Sequence, residues 1–259
     1  MSDHVGTGHG QAAYRRRFEW GPTGARAVVG DARPGDVAVV VDVLSFTTTL
    51  SVAVEHGIAV YPYPWASEAA PAYAEERGAV LALGRRSGRA QGKVSLSPSS
   101  FDGISGIERV VLPSPNGSAI SFALRESGVT VVGACLRNAR AVGEWLRAAT
   151  GRVIVVAAGE RWPDGSLRPA AEDLWGAGAV LHSLGIDSAS PEARLAATAY
   201  AAVRDDLPSA LTDCAGGREL IDDGFPRDVE IASATDVSEV VPVLHGEAFV
   251  DAAAQSLSS

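Results

Sequence analysis

The sequence is poor in cysteine, in positive charge and in long apolar runs, and each shortage removes a class of protein. Two cysteines in 259 residues, Cys135 and Cys214, have neither the number nor the spacing for a zinc site or a disulfide framework. They are expected to be two buried thiols in a reducing compartment. Lysine and arginine total 22 against 31 aspartates and glutamates, a formal net charge of −9. So acidic a chain lacks the basic face that a phosphate backbone demands, and no nucleic-acid partner is expected. Small anionic ligands stay open, because a bound cation reverses the local field. No apolar run approaches the ~20 residues that span a bilayer, so no membrane partner is expected. The opening MSDHVGTGHGQAAYRRRFEWG has three arginines but no apolar segment after them, unlike a secretory signal. A cytoplasmic location and a homo-oligomeric assembly are the expectations.

Several catalytic signatures are missing too. GRAQGKVS (residues 88–95) has too few residues between its glycines for a phosphate loop, and Val94 stands where Ser or Thr is needed. GAGAVL (176–181) lacks the third glycine of a dinucleotide fingerprint. No G-x-S-x-G elbow occurs. Six residues beyond the two cysteines stand Ala141 and Leu220, so neither thiol opens a thiol-phosphatase loop. Leu44, two places after Asp42, is not the second aspartate of an aspartyl-phosphate phosphatase.

What is present is an alternation of two kinds of segment. Apolar, β-branched runs at 37–43, 129–132 and 153–156, with shorter ones at 27–29, 58–61, 80–83 and 110–112, read as parallel strands covered on both faces. Between them lie alanine-rich segments of helical length at 47–56, 67–77, 119–127, 139–149, 171–184 and 191–205. The pattern predicts a three-layer α/β/α fold with a mainly parallel, mixed sheet. Residues 25–250 are expected to form a single domain, with 1–24 an N-terminal arm or edge element and 251–259 a C-terminal tail.

Four stretches could carry chemistry. In VAVVVDVLSFTTTL (37–50) a buried strand runs into Asp42, then Ser45, Thr47, Thr48 and Thr49 follow. A carboxylate there is costly unless paired or bound to a cation. The hydroxyls, Thr47 and Thr48 above all, read as the start of a helix that faces an anion. A plain helix cap is the bland alternative for Asp42. In LPSPNGS (112–118), two prolines stiffen a turn that offers Ser114, Asn116, Gly117 and Ser118 to a phosphate, although an ordinary turn explains it as well. AAGERWPDGSLRPAAEDLWGAGAV (157–180) supplies Glu160 and Arg161 after a strand, then Glu172 and Asp173 opening a helix. The helix dipole alone favours such acids, but acids brought back beside a strand end also suit Mg2+. LGRRSGRAQGKVS (83–95), whose glycines read as a loop after the strand-like run at 80–83, holds the densest positive patch, with Arg85, Arg86, Arg89 and Lys93. It is either solvated surface or a clamp on an anionic substrate.

In their order and spacing, the blocks VVVDVLSFTTT, LGRRSG, VSLSPS, PSPNGS, GACLRNA, AAGE…AAEDLWGAG and GRELIDDGFPRDVEIA resemble the 2-phosphosulfolactate phosphatase family over about residues 37–243. The resemblance implies a Mg2+-dependent phosphomonoesterase acting on (2R)-2-phospho-3-sulfolactate, in a pathway making a sulfonate cofactor, coenzyme M. Asp42, Glu172 and Asp173 would hold Mg2+. Ser114, Asn116, Gly117, Ser118, Thr47 and Thr48 would cradle the transferring group. Arg85, Lys93 and Arg161 would meet negative charge, and Glu160 would act as base. One departure stands out: where the family's first block reads D-V-L-R-A-T-T-T, this chain has Ser45 and Phe46 at the Arg and Ala positions. A substrate without the sulfonate is therefore one alternative. A non-catalytic anion-binding protein of the same fold, or a metal-dependent lyase or isomerase acting on a phosphorylated acid, are the others.

Overall fold

A computed structural model describes residues 11–30, 32–65 and 67–255. The arm expected over 1–24 lies outside the described residues as far as residue 10, and the tail expected over 251–259 does so from 256. The main sheet contains β1 (Arg16–Trp20), β2 (Val37–Val41), β3 (Ala59–Pro64), β4 (Val80–Leu81), β5 (Arg109–Ser114), β6 (Thr130–Ala134) and β7 (Val153–Ala157). A small hairpin of β8 (Glu160–Arg161) and β9 (Leu167–Arg168) follows, and β10 (Pro242–His245) with β11 (Ala248–Asp251) completes the main sheet. The nine strands of the main sheet lie in the order β1-β7-β2-β6-β10-β11-β3-β5-β4.

Two parallel groups make up this sheet. β1, β7, β2 and β6 pair parallel, and so do β3, β5 and β4. The antiparallel β10–β11 hairpin joins the groups, pairing with β6 on one side and β3 on the other. Helices cover both faces, so the architecture is three-layer α/β/α with a mainly parallel, mixed sheet. Alternate residues of β2 feed two cores, as the two-residue period of a strand requires. Val37, Val39 and Val41 face one core, while Ala38 and Val40 face the other.

Among the helices, α1 (Gly21–Val29), α2 (Phe46–Glu55), α3 (Ala70–Glu76), α4 (Arg85–Gln91) and α5 (Gly117–Leu124) come first. Then come α6 (Ala139–Leu146), α7 (Ala171–Leu184), α8 (Pro191–Val203), α9 (Leu207–Asp213), α10 (Ala215–Asp222), α11 (Pro226–Ser233) and α12 (Ala252–Gln255). α2 has an unusual position. It packs against β3, β6, β10, β11 and α5, and every residue from Phe46 to Val54 is buried. The two half-sheets thus close around this helix, which brings the carboxyl ends of β2 and β5 to one place.

Three expectations change. The run 27–29 is the end of α1, not a strand: Pro22 starts that helix, and three apolar residues carry no period of their own. GRRSGRAQG folds as α4 rather than as a loop, ended by Gly92 in the left-handed region at φ 61°. Cys214 is only partly buried, and its sulfur accepts the Gly217 amide at the start of α10, whereas Cys135 is fully buried. Both thiols are free. No helix among the described residues is long and apolar enough to cross a membrane.

Candidate active site

Asp42 follows β2 and is 6% exposed. Its Oδ1 accepts the Phe46 amide at 3.2 Å, and its Oδ2 accepts the Gly117 amide at 2.7 Å. The Ser114 hydroxyl lies 3.4 Å from the same Oδ2. Glycine is required at 117, because a Cβ there would stand 2.6 Å from the Cβ of Asp42 and 2.8 Å from the Phe46 ring. The loops after β2 and β5 are therefore locked together through one carboxylate. Burial raises its pKa, Glu172 adds to the rise, and the two amides and Arg85 oppose it.

The threonine hydroxyls have other partners. Thr47 Oγ1 donates to the Asp42 carbonyl at 2.8 Å, and Thr48 Oγ1 donates to the Val43 carbonyl at 2.7 Å. Thr49 Oγ1 donates to the Leu96 carbonyl at 2.8 Å. On a helix buried all round, hydroxyls must find acceptors inside the protein, and these take the carbonyls of the strand-to-helix turn and of residue 96. Ser118 is likewise committed: its hydroxyl donates towards the Leu112 and Tyr63 carbonyls and accepts the Tyr63 amide at 2.7 Å, joining β3 to β5.

Two further acids enter from the first turn of α7. Asp173 is 3% exposed, and its oxygens accept the amides of Val43 at 2.7 Å and Gly159 at 2.8 Å. It ties the end of β2 to the end of β7. Burial and the charges of Asp42 and Glu172 hold its pKa well above the usual carboxylate range. Glu172, also 3% exposed, sits against Gly216, which lacks the Cβ that would strike its carboxylate. Beside it, burial and the Glu172 charge push the Cys214 thiol up to about 12, which keeps it protonated and unreactive.

Glu160 lies on β8, where it pairs with Arg168 across the hairpin. Its Oε2 accepts from Asn116 Nδ2 at 3.0 Å, and Asn116 Oδ1 in turn accepts from Arg161 Nε at 3.3 Å. Burial and the Asp42 charge lift Glu160 to about 7. Asn116 thus orients Glu160 beside Asp42, while Arg161 braces the turn by donating to the Pro115 carbonyl at 3.1 Å.

On the opposite side stands Arg85, at the start of α4. Its Nη2 donates to Ser45 Oγ at 2.5 Å, and its Nε donates to Asp228 Oδ2 at 3.3 Å. Asp228 is fully buried and accepts the hydroxyls of Ser97 at 2.6 Å and Ser99 at 2.9 Å through Oδ1. Sequence reasoning missed Asp228, because an aspartate just after a helix-starting proline is already explained by capping and the dipole. Lys93 is exposed and lies along the cavity that Arg85 borders, away from the carboxylates.

The geometry therefore gathers Asp42, Glu160, Glu172, Asp173, Ser114, Asn116, Gly117, Ser45 and Arg85 at the carboxyl ends of β2, β5 and β7. Thr47, Thr48 and Ser118 adjoin the site with their hydroxyls turned to backbone. The acids are all oxygen donors, and the charges of Asp42 and Glu172 help to raise the pKa of Asp173 and Glu160, a setting that a hard cation relieves. Among the described residues no group of three or more acidic, histidine or cysteine side chains is arranged to hold a metal. Mg2+ does not require one, since it keeps several waters and takes one or two carboxylates. Asp42 and Asp173 each have both oxygens on backbone amides with lone pairs to spare, and Glu172 stands beside them, so any one or two of the three fit that smaller role.

Fold and site together define an α/β/α protein with a buried acidic centre and an arginine at its rim. Residues 26–247 match the family described as 2-phosphosulpholactate phosphatase. A probable 2-phosphosulfolactate phosphatase of Pseudothermotoga lettingae is 32% identical over 225 residues, covering 83% of this chain and 92% of the relative. Another from Deinococcus radiodurans is 32% identical over 221 residues, covering 83% and 90%. One from Thermus thermophilus is 30% identical over 218 residues, covering 82% and 89%. The chain belongs to the 2-phosphosulfolactate phosphatase family, which its description makes a family of phosphoric monoester hydrolases.

Proposed function

We propose that the protein is a phosphoric monoester hydrolase that cleaves a small acidic ester, (2R)-2-phospho-3-sulfolactate or a near analogue, to the hydroxy acid and phosphate. The observation that carries this reading is the acidic centre of Asp42, Glu160 and Glu172 facing Arg85, in a chain of this family. Mg2+ at Asp42 and Glu172 would neutralise the ester's charge and lower the pKa of a bound water.

The remaining roles belong to the chain. Glu160, lifted to about 7 before any cation binds, is a carboxylate suited to take a proton from the attacking water. Asn116 fixes its direction. As the water oxygen bonds to phosphorus, the ester P–O bond breaks and the leaving oxygen takes a proton from solvent, to which Glu160 later returns the one it accepted. Arg85 and the Ser114 hydroxyl offer donors to the oxygens that gain charge. Asp173 supports the site by holding the ends of β2 and β7 together. With this substrate the protein would serve in coenzyme M biosynthesis, in the cytoplasm.

Phosphate release from a panel of phosphomonoesters tests the proposal. Turnover should vanish with excess EDTA after dialysis and return with Mg2+. Full turnover in EDTA would remove the metal from the scheme, and no release from any ester would favour the non-catalytic anion-binding alternative.

A further inference from the structure

Two of the sequence blocks, VSLSPS (94–99) and GRELIDDGFPRDVEIA (217–232), take no part in the proposed chemistry. The fold brings both of them to one side chain, Arg85, through the buried Asp228 of α11. A buried aspartate in the first turn of a helix has an ordinary explanation, that it satisfies the free amides of that turn. Asp228 does not do so. Among the described residues its partners are three side chains from elsewhere: Oδ1 accepts the hydroxyls of Ser97 at 2.6 Å and Ser99 at 2.9 Å, and Oδ2 accepts Arg85 Nε at 3.3 Å.

The segment that supplies the serines is laced to itself and to its neighbours. The Ser97 amide donates to Ser95 Oγ at 3.2 Å. Ser100 Oγ accepts the Ser95 amide at 2.9 Å and donates to the Ser97 carbonyl at 2.6 Å. Thr49 fastens the Leu96 carbonyl to α2. Glycine at 88 lets α4 lie against the same segment, since a Cβ there would stand 2.5 Å from the Ser95 Cβ. Asp228 is thus held through one oxygen and presents the other to Arg85.

Arg85 is the one basic side chain that reaches the turn after β2 in this arrangement. Its Nη2 meets Ser45, three residues after Asp42, while its Nη1 has no acceptor among the described residues. A guanidinium donates through a planar fork, so fixing Nε and Nη2 fixes the direction of every remaining N–H. With Nε released, the same side chain could still lie near the carboxylates, but its donors would lose their aim.

We propose that Asp228 is a positioning residue for the reaction: anchored by Ser97 and Ser99, it sets the plane of the Arg85 guanidinium so that the donors left over face the phosphate oxygens at the acidic centre. The inference rests on the phosphomonoesterase reading and adds to it a residue that acts only through Arg85.

The test is a double-mutant cycle of Asp228→Asn and Arg85→Ala, read as kcat and KM for a phosphomonoester that wild type hydrolyses. Asparagine keeps the shape and one acceptor, and the serine hydroxyls can turn to accept from its amino group. In the wild-type background kcat should fall about tenfold or more while KM stays within about twofold, as when a transition-state donor is misaimed. In the Arg85→Ala background the same substitution should cost less than about threefold. A bond that merely joins α4 to α11 would leave kcat per folded molecule unchanged, or lower it equally in both backgrounds, and either result overturns the proposal. If Asp228→Asn does not fold, Ser99→Ala at a half-buried position replaces it. A fall in kcat of about threefold that disappears without Arg85 then supports the proposal, and an unchanged kcat or an equal fall overturns it. If Arg85→Ala is too slow to measure, or if wild type hydrolyses no ester and the phosphatase reading fails separately, calorimetry with orthovanadate carries the same cycle, because that anion takes up the five-coordinate geometry of the reacting phosphorus. Binding weakened about tenfold by Asp228→Asn only where Arg85 is present supports the proposal. Absent, unaltered or equally weakened binding overturns it.

Discussion

Asp42→Asn separates what this side chain does for the fold from what it does for the chemistry. In the native protein each carboxylate oxygen accepts a different backbone amide, Phe46 at 3.2 Å and Gly117 at 2.7 Å. Asparagine keeps one acceptor and places an amino group at the other position, so in either orientation one buried N–H faces another donor. An unsatisfied buried donor costs about 1–3 kcal/mol. Relief works in the opposite direction, because the substitution removes a buried charge that burial and Glu172 already disfavour. The expected net loss of stability is about 1–2 kcal/mol, a fall in Tm of roughly 2–8 °C for a chain of this length. Catalysis should fall far more, by several orders of magnitude, if Asp42 holds the cation that activates water. Urea unfolding without metal reads the first quantity, and kcat at saturating Mg2+ reads the second. A destabilised variant that keeps kcat within about tenfold of wild type would reduce Asp42 to a tie between two loops. A variant as stable as wild type would contradict the hydrogen-bond reasoning itself.

Other substitutions test separate joints. If Glu160 is the base, kcat/KM should rise with pH along a limb centred at or below about 7, because Mg2+ offsets the Asp42 and Glu172 charges that help to raise it, and Glu160→Gln should be slow with that limb gone; an unchanged profile in the variant removes Glu160 from the chemistry. Its raised folded pKa also means that the unliganded protein loses stability as pH rises from the unfolded value towards about 7, which denaturant titrations at pH 5 and 8 would detect. Asp36 behaves in the opposite sense: the Arg152 side chain and amide and the Arg33 amide outweigh burial and lower its pKa from 3.8 to about 2. Its contribution, about 2 kcal/mol, is present above pH 3.8 and is lost as pH falls through about 2; Asp36→Asn should flatten that part of the acid-stability curve. Ser45→Arg should lower kcat/KM by setting a second guanidinium against Arg85, and Ser45→Arg with Arg85→Ser should recover more than the single effects combined allow; simple additivity would refute the contact.

Different parts of this molecule were legible in the sequence to different degrees. β2, β5, β6 and β7 stood out because buried parallel strands are apolar on both faces, and α7 because an alanine-rich run follows two acids. β1 did not, since RRFEW is short and charged, and its Arg17 is fully buried with carbonyls of Tyr14 and Ala12 as acceptors. β10 and β11 are four-residue strands whose pairing is set by distant neighbours. Asp42 and Glu160 were legible as acids after strands, and Glu172 and Asp173 as acids opening a helix. Their division of labour was not, because it depends on which amides each oxygen meets. Asp228 left no signal, since only the folded chain brings α11 against Arg85.

The hydroxyl cluster after β2 shows why residue type alone misleads. A serine and three threonines behind a strand-end aspartate look like an anion cradle as long as the helix is imagined with one face in solvent. α2 is instead enclosed by both half-sheets, so Thr47, Thr48 and Thr49 need internal acceptors and find them in the carbonyls of residues 42, 43 and 96. Ser45 is the exception, as its hydroxyl accepts from Arg85. A small residue there leaves room for the Arg85 guanidinium, which α4 delivers to the turn after β2. The positive charge at the rim is anchored by Asp228 on α11, and a change at Asp228 should be felt at the acidic centre.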